Sequence, residues 1–252
     1  MQKMINPMAL EGRRILVTGA SSGIGRATAV LASRLGAEVI LTARRADELE
    51  KTRLMMENPD KHRIVAGDLS DFGFLRQLVE ESGALDGLVS AAGVSCVVPT
   101  GLVSEPRFES MMRVNCHAFV ELMNQYAGRR FRADRFSAVA VSSVSSRAGW
   151  AGGTAYCASK GALSAAVRAM AVELAGKGVR VNAVCPSSVD TPLIEPMRKL
   201  DPAGFDAKVA SEQPLGLAAP EQVASVICFL LSDAASFITG VELPVDGGYL
   251  AR

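Results

Sequence analysis

The stretch Arg14–Gly25, RILVTGASSGIG, decides the fold. RILVT is a short apolar run of the kind that forms a buried strand, and a helical pattern from Ile24 to Leu35 follows the glycines at once. A turn that carries a strand straight into a helix aims the helix's unpaired N–H groups and positive dipole end at one spot, which suits a phosphate. Gly19, Gly23 and Gly25 permit the tight turn, the close approach of backbone to a pyrophosphate and the packing of helix on strand, with Ser21, Ser22 and Ile24 completing the loop. The spacing is G-x-x-x-G-x-G, not the usual G-x-G-x-x-G. A glycine loop alone is weak and also reads as a flexible turn; the strand before it and the helix after it favour a dinucleotide cradle.

Outward from this loop the same rhythm repeats. EVILTA precedes a helix from Asp47 to Met56, HRIVA one from Phe72 to Ser82, and later strands read GLVSA, AVAVSS, VRVNAV and VELPV. These runs are apolar without alternation, as strands buried on both faces are. The chain is therefore expected to form a single α/β domain over residues 1–252, a Rossmann fold whose doubly wound parallel sheet has about seven strands with helices on both faces. Two long helices, about Glu105–Arg130 and Ala155–Gly176, flank the middle; the second is apolar nearly all round, so a partner subunit is expected to help bury it. Residues 190–220 break into prolines and mixed charge and read as an irregular lid over a site.

Composition narrows the function classes. The 252 residues are 49% hydrophobic and 21% charged with a net charge of +1, so neither nucleic acid nor an anionic membrane is an expected partner. Met1–Leu10 lacks the pattern of a signal peptide and no run is long enough to span a bilayer, which leads to the expectation of a soluble, cytoplasmic protein. The 5 cysteines and 2 histidines form no ligand-spaced cluster, so no metal site is expected.

About 20 positions beyond such a glycine loop, an NAD site usually carries a carboxylate for the ribose hydroxyls. Here Ala43 is followed by Arg44 and Arg45. A guanidinium suits a phosphate, so NADP(H) is the expected cofactor, with Arg26 as a further phosphate ligand; the plainer reading makes Arg44 and Arg45 solvated charges.

TAYCASKGAL, Thr154–Leu163, places Tyr156 and Lys160 four residues apart, on one face of a helix. A neighbouring ammonium favours a phenolate, so the lysine is expected to lower the tyrosine's pKa and fit it for proton transfer. Thirteen positions earlier lies Ser143, at the carboxyl end of AVAVSS, where its hydroxyl can polarise a substrate carbonyl. Ser142, Ser145 and Ser146 crowd the same stretch, which by composition alone is also a polar turn.

Taken together, TGASSGIG, GDLSD, SAAG, VNC, Ser143, Tyr156 to Lys160, PSSVDTP and VDGG resemble the short-chain dehydrogenase/reductase family over about Leu10–Tyr249, closest in layout to its 3-oxoacyl-(acyl carrier protein) reductases. The resemblance implies Tyr156 as general acid or base, Lys160 as its partner and a ligand of the nicotinamide ribose, Ser143 as the group that orients the carbonyl, and Asn115 as holder of a water linking Lys160 to solvent. It implies Asp68 and Leu69 at the adenine, Ala91, Ala92 and Gly93 along the adenosine ribose, Pro186 beside the nicotinamide, and Val189 and Thr191 on its carboxamide. From the residues alone, Asn115 reads as a polar residue bonding its own helix backbone, and Asp68 as a helix cap. Two departures stand out: Ser90 where the family has asparagine, expected to loosen the central strands, and Ser187 where it has glycine, adding a side chain near the nicotinamide.

The implied reaction is reversible reduction of a carbonyl by NADPH. The substrate reads as a 3-oxoacyl thioester, with a sugar or polyol, a small ketone, or a non-catalytic NADP-binding regulator as rivals. Its walls are expected at Val94–Val103, Ser145–Gly152 with Trp150, and Thr191–Leu217, including Val97, Val98, Leu193, Ile194 and Met197 beside the charges Glu195, Arg198 and Lys199. Arg129, Arg130, Arg132 and Arg135 either meet an acidic acyl carrier protein or complement a helix C-terminus. The resemblance also implies a homo-oligomer, dimer or tetramer, built on the two long helices. Arg44→Ala is expected to raise the NADPH dissociation constant in a fluorescence titration; an unchanged constant would contradict the phosphate assignment.

Overall fold

The computed structural model describes residues 6–251; residues 1–5, which belong to the stretch read as lacking a signal peptide, and residue 252 lie outside them. Strands β1 (Arg14–Thr18), β2 (Glu38–Thr42), β3 (Arg63–Ile64), β4 (Leu85–Ser90), β5 (Arg132–Val141), β6 (Val179–Pro186) and β7 (Glu242–Val245) form one sheet in the order β3-β2-β1-β4-β5-β6-β7. Every neighbouring pair is parallel. The connecting helices are α1 (Gly23–Arg34), α2 (Ala46–Leu54), α3 (Phe72–Ser82), α4 (Glu105–Met112), α5 (Ala118–Ala127), α6 (Thr154–Leu174), α7 (Glu195–Leu200), α8 (Pro202–Glu212) and α9 (Pro220–Leu231). The doubly wound α/β reading therefore holds.

The lack of alternation in the strands has its cause in two cores. Leu16, Ile40, Leu88, Ala138 and Ala140 point to one side, against Leu75 and Leu78 of α3, Phe119 and Leu122 of α5, and Leu163 and Val167 of α6. Ile15, Val17, Val39, Leu41, Val89 and Val139 point to the other, against Ala29 and Ala32 of α1, Leu49 of α2, and Val223 and Ile227 of α9. Each strand buries both faces, so neither needs polar residues.

The strand order reverses between β1 and β4, and the loops leaving them diverge to open a crevice at their carboxyl ends. Gly19 lies there with φ +66°, and a Cβ on it would stand 2.7 Å from the Ala92 nitrogen. The Thr18 hydroxyl oxygen accepts the N–H groups of Ala91 (3.1 Å) and Ala92 (3.2 Å), tying the two strand ends together beside Ser90.

Two expectations are corrected. Residues 190–220 are not irregular: α7 and α8 occupy most of them, and Pro196, Pro202 and Pro220 sit in the first turns of α7, α8 and α9, where a missing N–H costs nothing. The helix expected over Glu105–Arg130 ends at Ala127 and is interrupted by a π turn, Arg113–His117. Within the chain, helix α6 is buried on its sheet side. Ala155, Ser159, Lys160, Leu163, Ser164, Val167, Ala171 and Leu174 face inward, while Ala158, Ala165, Ala169 and Val172 leave a shallow exposed strip.

Leu16→Ala at the centre of the sheet is expected to cost about 2–5 kcal/mol in urea denaturation, because the buried site has no room to collapse. A loss below about 1 kcal/mol would contradict the two-core packing.

Candidate active site

The crevice at the strand ends has a volume of ≈ 510 Å³ and gathers almost every expected binding residue. Gly19, Ser21, Ser22, Gly23, Ile24 and Gly25 line it on one side, Arg44, Arg45, Asp68 and Leu69 at one end, and Ala91, Ala92 and Gly93 along the floor. Ser143, Tyr156, Lys160, Pro186, Val189 and Thr191 complete it. Asn115 and Arg26 are expected site residues that do not line it.

The loop fits the phosphates of a dinucleotide. Ser22, the residue before α1, makes no capping bond through its side chain, and the first turn carries no acidic residue. Its N–H groups thus retain both their hydrogen-bonding capacity and their positive end. A Cβ on Gly25 would run into the Gly19 carbonyl, so the turn admits no side chain there.

Arg26 does not serve as a phosphate ligand. It is committed to Glu48 (2.6 Å), to the Thr52 hydroxyl (3.0 Å) and to the Ser21 carbonyl, inside the protein and behind the loop. Arg44 and Arg45 are exposed at the crevice and pair with no carboxylate among the described residues. Asp68 caps no helix: its carboxylate accepts from the Ser70 N–H (2.9 Å), while Asp71 caps α3. That backbone bond, with a smaller pull from nearby Arg44, holds the Asp68 carboxyl below its ordinary pKa.

At the opposite end, the Lys160 ammonium is 4% exposed and donates to the Val141 carbonyl (2.8 Å), 5.8 Å from the Tyr156 ring centre. Tyr156 interacts with the Ser143 side chain, whose hydroxyl oxygen accepts the Ser145 N–H (3.1 Å). The expected depression of the tyrosine pKa is not found. Burial pushes the phenol up to about 12 against the opposing effect of Ser143, and burial brings the ammonium down to about 8. Desolvation disfavours both charged forms and is the largest cause of each shift. At neutral pH, Tyr156 therefore holds its proton.

Asn115 does not bond its own helix. Its Oδ1 accepts the Val94 N–H (2.9 Å), and its Nδ2 donates to the Val94 carbonyl (3.0 Å) and the Ser159 hydroxyl (2.9 Å). The π turn swings it out of the helical register towards the β4 loop. A Cβ on Gly93 would lie 3.4 Å from Asn115 Oδ1 and 3.7 Å from Lys160 Nζ, so the absent side chain keeps that corner open.

A second cavity of ≈ 400 Å³ adjoins the first, and Ser143, Tyr156 and Ser187 line both. Trp150, Leu193, Ile194 and Met197 wall it as expected, Phe205 and Val209 join them from within the expected stretch Thr191–Leu217, Tyr249 is unforeseen from the sequence, and Ser95, Ser188, Asp201, Lys208 and Glu212 add polar lining. Val97 and Val98 are not among its walls, and the charges pair elsewhere: Arg198 with Asp190 (3.0 Å) and Lys199 with Glu195 (3.5 Å). In the arginine cluster, Arg132 is 5% exposed and Arg129 pairs with Asp134 (3.7 Å), so only part of it faces outward. Among the described residues, no group of three His, Cys, Asp or Glu side chains is placed to hold a metal ion, and no helix is long and apolar enough to cross a membrane.

Known proteins resemble this chain over nearly its whole length. A family profile described as enoyl-(acyl carrier protein) reductase matches residues 19–250. The chain is 37% identical to the cis-4-hydroxycyclohexanecarboxylate dehydrogenase of Sinomonas cyclohexanicum, over 96% of this chain and 98% of that one. It is 36% identical to the L-xylulose reductase of Mus musculus, over 97% and 99%. The crystal structure of a 3-oxoacyl (acyl-carrier-protein) reductase from Agrobacterium tumefaciens with NADP bound superposes with a TM-score of 0.90 at 28% identity, covering 98% of each chain.

An ultraviolet difference titration of the free protein against Tyr156→Phe is expected to show no phenolate step between about pH 7 and 10, since Tyr156 titrates at about 12. A step inside that window would contradict the burial account.

Proposed function

The chain belongs to the short-chain dehydrogenase/reductase family of NAD(P)-dependent oxidoreductases acting on CH–OH groups, and from that premise we propose that it reduces a largely apolar carbonyl compound to a secondary alcohol, reversibly, with NADPH. The observation that carries the proposal is that Ser143 and Tyr156 face both cavities at once. A carbonyl carbon in the second cavity then meets the dinucleotide end of the first, beside a proton donor.

The proposed binding roles follow the lining. The α1 loop holds the pyrophosphate, Arg44 and Arg45 the 2′-phosphate, Asp68 and Leu69 the adenine, and Ala91 to Gly93 the adenosine ribose. Lys160 bonds the nicotinamide ribose, with Pro186, Val189 and Thr191 around the carboxamide. When bound, the cofactor supplies the hydride in reduction and accepts it in oxidation. The unpaired exposure of Arg44 and Arg45, and the lack of a carboxylate at their positions, support NADP(H) over NAD(H).

Tyr156 gives its proton to the carbonyl oxygen as the alcohol forms. A phenol that stays protonated at neutral pH is suited to this acid role, and the oxidative direction asks it to take the proton back. Ser143 donates a hydrogen bond to the same oxygen and holds Tyr156 in line. Lys160, with a lowered pKa, resupplies the proton past Asn115, whose bonds to Val94 and Ser159 fix the walls of that path and whose implied water completes it.

Leu193, Ile194, Met197, Phe205 and Val209, set across from Trp150, support a compact alicyclic ketone or a 3-oxoacyl thioester, while Ser95, Ser145, Ser188, Asp201, Lys208 and Glu212 on the same lining keep a sugar or polyol as the second reading. An acyl carrier protein is a partner only for the thioester. The small-residue strip of α6 supports a homo-oligomer, and the remaining reading is a single cytoplasmic domain with residues 190–220 as its lid.

In an assay of NADPH absorbance with 4-oxocyclohexanecarboxylate, an acetoacetyl thioester and xylulose, one of the first two is expected to turn over fastest. Tyr156→Phe is expected to lower that rate at least about 10²-fold. Wild-type speed in the variant would defeat the mechanism, and tight NADPH binding without turnover would favour a regulator.

A further inference from the structure

The segment that separates the two cavities, Pro186 to Thr191, leaves β6 at Pro186 and beyond it makes an isolated parallel bridge, Val189 with Ala218. Pro186, Val189 and Thr191 face the crevice, Ser188 faces the second cavity, and Ser187 faces both. What holds it is a side chain outside either cavity. Gln213, 2% exposed at the end of α8, accepts the Ser188 N–H at its Oε1 (2.7 Å). Its Nε2 donates to the carbonyls of Ser188 (3.2 Å) and Gly216 (2.8 Å). The amide thus serves Ser188 as a neighbouring strand would, one bond given and one received.

Backbone bonds continue this staple. Ala218 N–H reaches the Ser188 carbonyl (3.4 Å), Asp190 N–H reaches the Ala218 carbonyl (2.9 Å), and Leu215 N–H reaches the Gly247 carbonyl (3.1 Å). The two ends of the α7–α8 excursion are therefore pinned to each other, and the second end is pinned to the chain that leads to Tyr249. A buried amide with three of its bonds made is a costly group to leave half-satisfied, so the pin has one preferred geometry.

We infer that Gln213 is a positioning residue that sets the register of Ser187–Thr191 and so decides how the nicotinamide end of the cofactor is seated. The inference rests on the reading of the crevice as an NADP(H) site. It concerns only the nicotinamide half: the glycine loop, Arg44 and Asp68 belong to other elements and have no bond to Gln213.

The test compares NADPH with 2′-phospho-ADP-ribose, which lacks the nicotinamide, by calorimetry on wild type and Gln213→Met. The variant is expected to bind NADPH about tenfold more weakly, while its affinity for the fragment stays within about twofold. Equal weakening of both ligands would mean a merely structural role, and no weakening of either would mean no role; each result overturns the inference. Gln213→Asn, an amide too short to span the same three partners, is expected to repeat the pattern and carries the test if the methionine variant fails to fold by circular dichroism. Failure of the wild type to bind either ligand is a separate outcome and would overturn the cofactor reading beneath.

Discussion

A buried ammonium must find a partner, and the Lys160 head group finds the Val141 carbonyl at the carboxyl end of β5. That bond draws the start of α6 down onto the end of the sheet. Two more bonds reinforce it, one joining the Ser142 and Ser164 hydroxyls (2.9 Å) and one donated by the Ser142 hydroxyl to the Lys160 carbonyl (3.3 Å). Tyr156, one turn earlier, is carried to Ser143 as a consequence. The proposed proton donor is thus placed by the same contact that docks the helix, so the proposed chemistry and the packing share one set of atoms.

The rest of the molecule builds around that corner. The reversal of strand order between β1 and β4 opens the crevice. Thr18 ties the two strand ends, and Gly19 and Gly93 keep the floor free of side chains. The π turn at Asn115 spends helical regularity to bridge the β4 loop and α6, a local cost of the kind often met at sites. Opposite, the staple through Gln213 gives the wall between the cavities a fixed edge, while α7 and α8 close the apolar side. Glu242, almost buried and held by Arg147 and Arg168, fastens β7 to the turn after Ser143 and to α6.

Most of the architecture is legible in the sequence because strands buried on both faces leave unbroken apolar runs, and RILVT followed by three glycines can hardly be read otherwise. The pairing of Tyr156 with Lys160 is equally legible, since helical spacing alone puts them on one face. What escapes reading depends on partners far along the chain. Arg26 looks available for a phosphate until the fold brings Glu48 and Thr52 to it. Gln213 has no local signature; its meaning comes from Ser188, 25 residues earlier. The prolines of residues 190–220 read as breaks, yet at a helix's first turn proline is a start. The direction of the Tyr156 shift was hidden for a related reason: spacing reveals the neighbouring charge, whereas the desolvation that outweighs it is a property of the packed site.

The account stands on an ammonium kept from water at the end of β5, with a phenol above it that keeps its proton. Nuclear magnetic resonance of carbon-labelled lysine, with the Lys160 signal assigned by its loss in Lys160→Met, reads that ammonium directly. A titration midpoint near the value of about 8 that burial imposes is the expected result. A midpoint at the ordinary 10.5 would contradict the account, because a lysine that titrates as in open solvent is not kept from water.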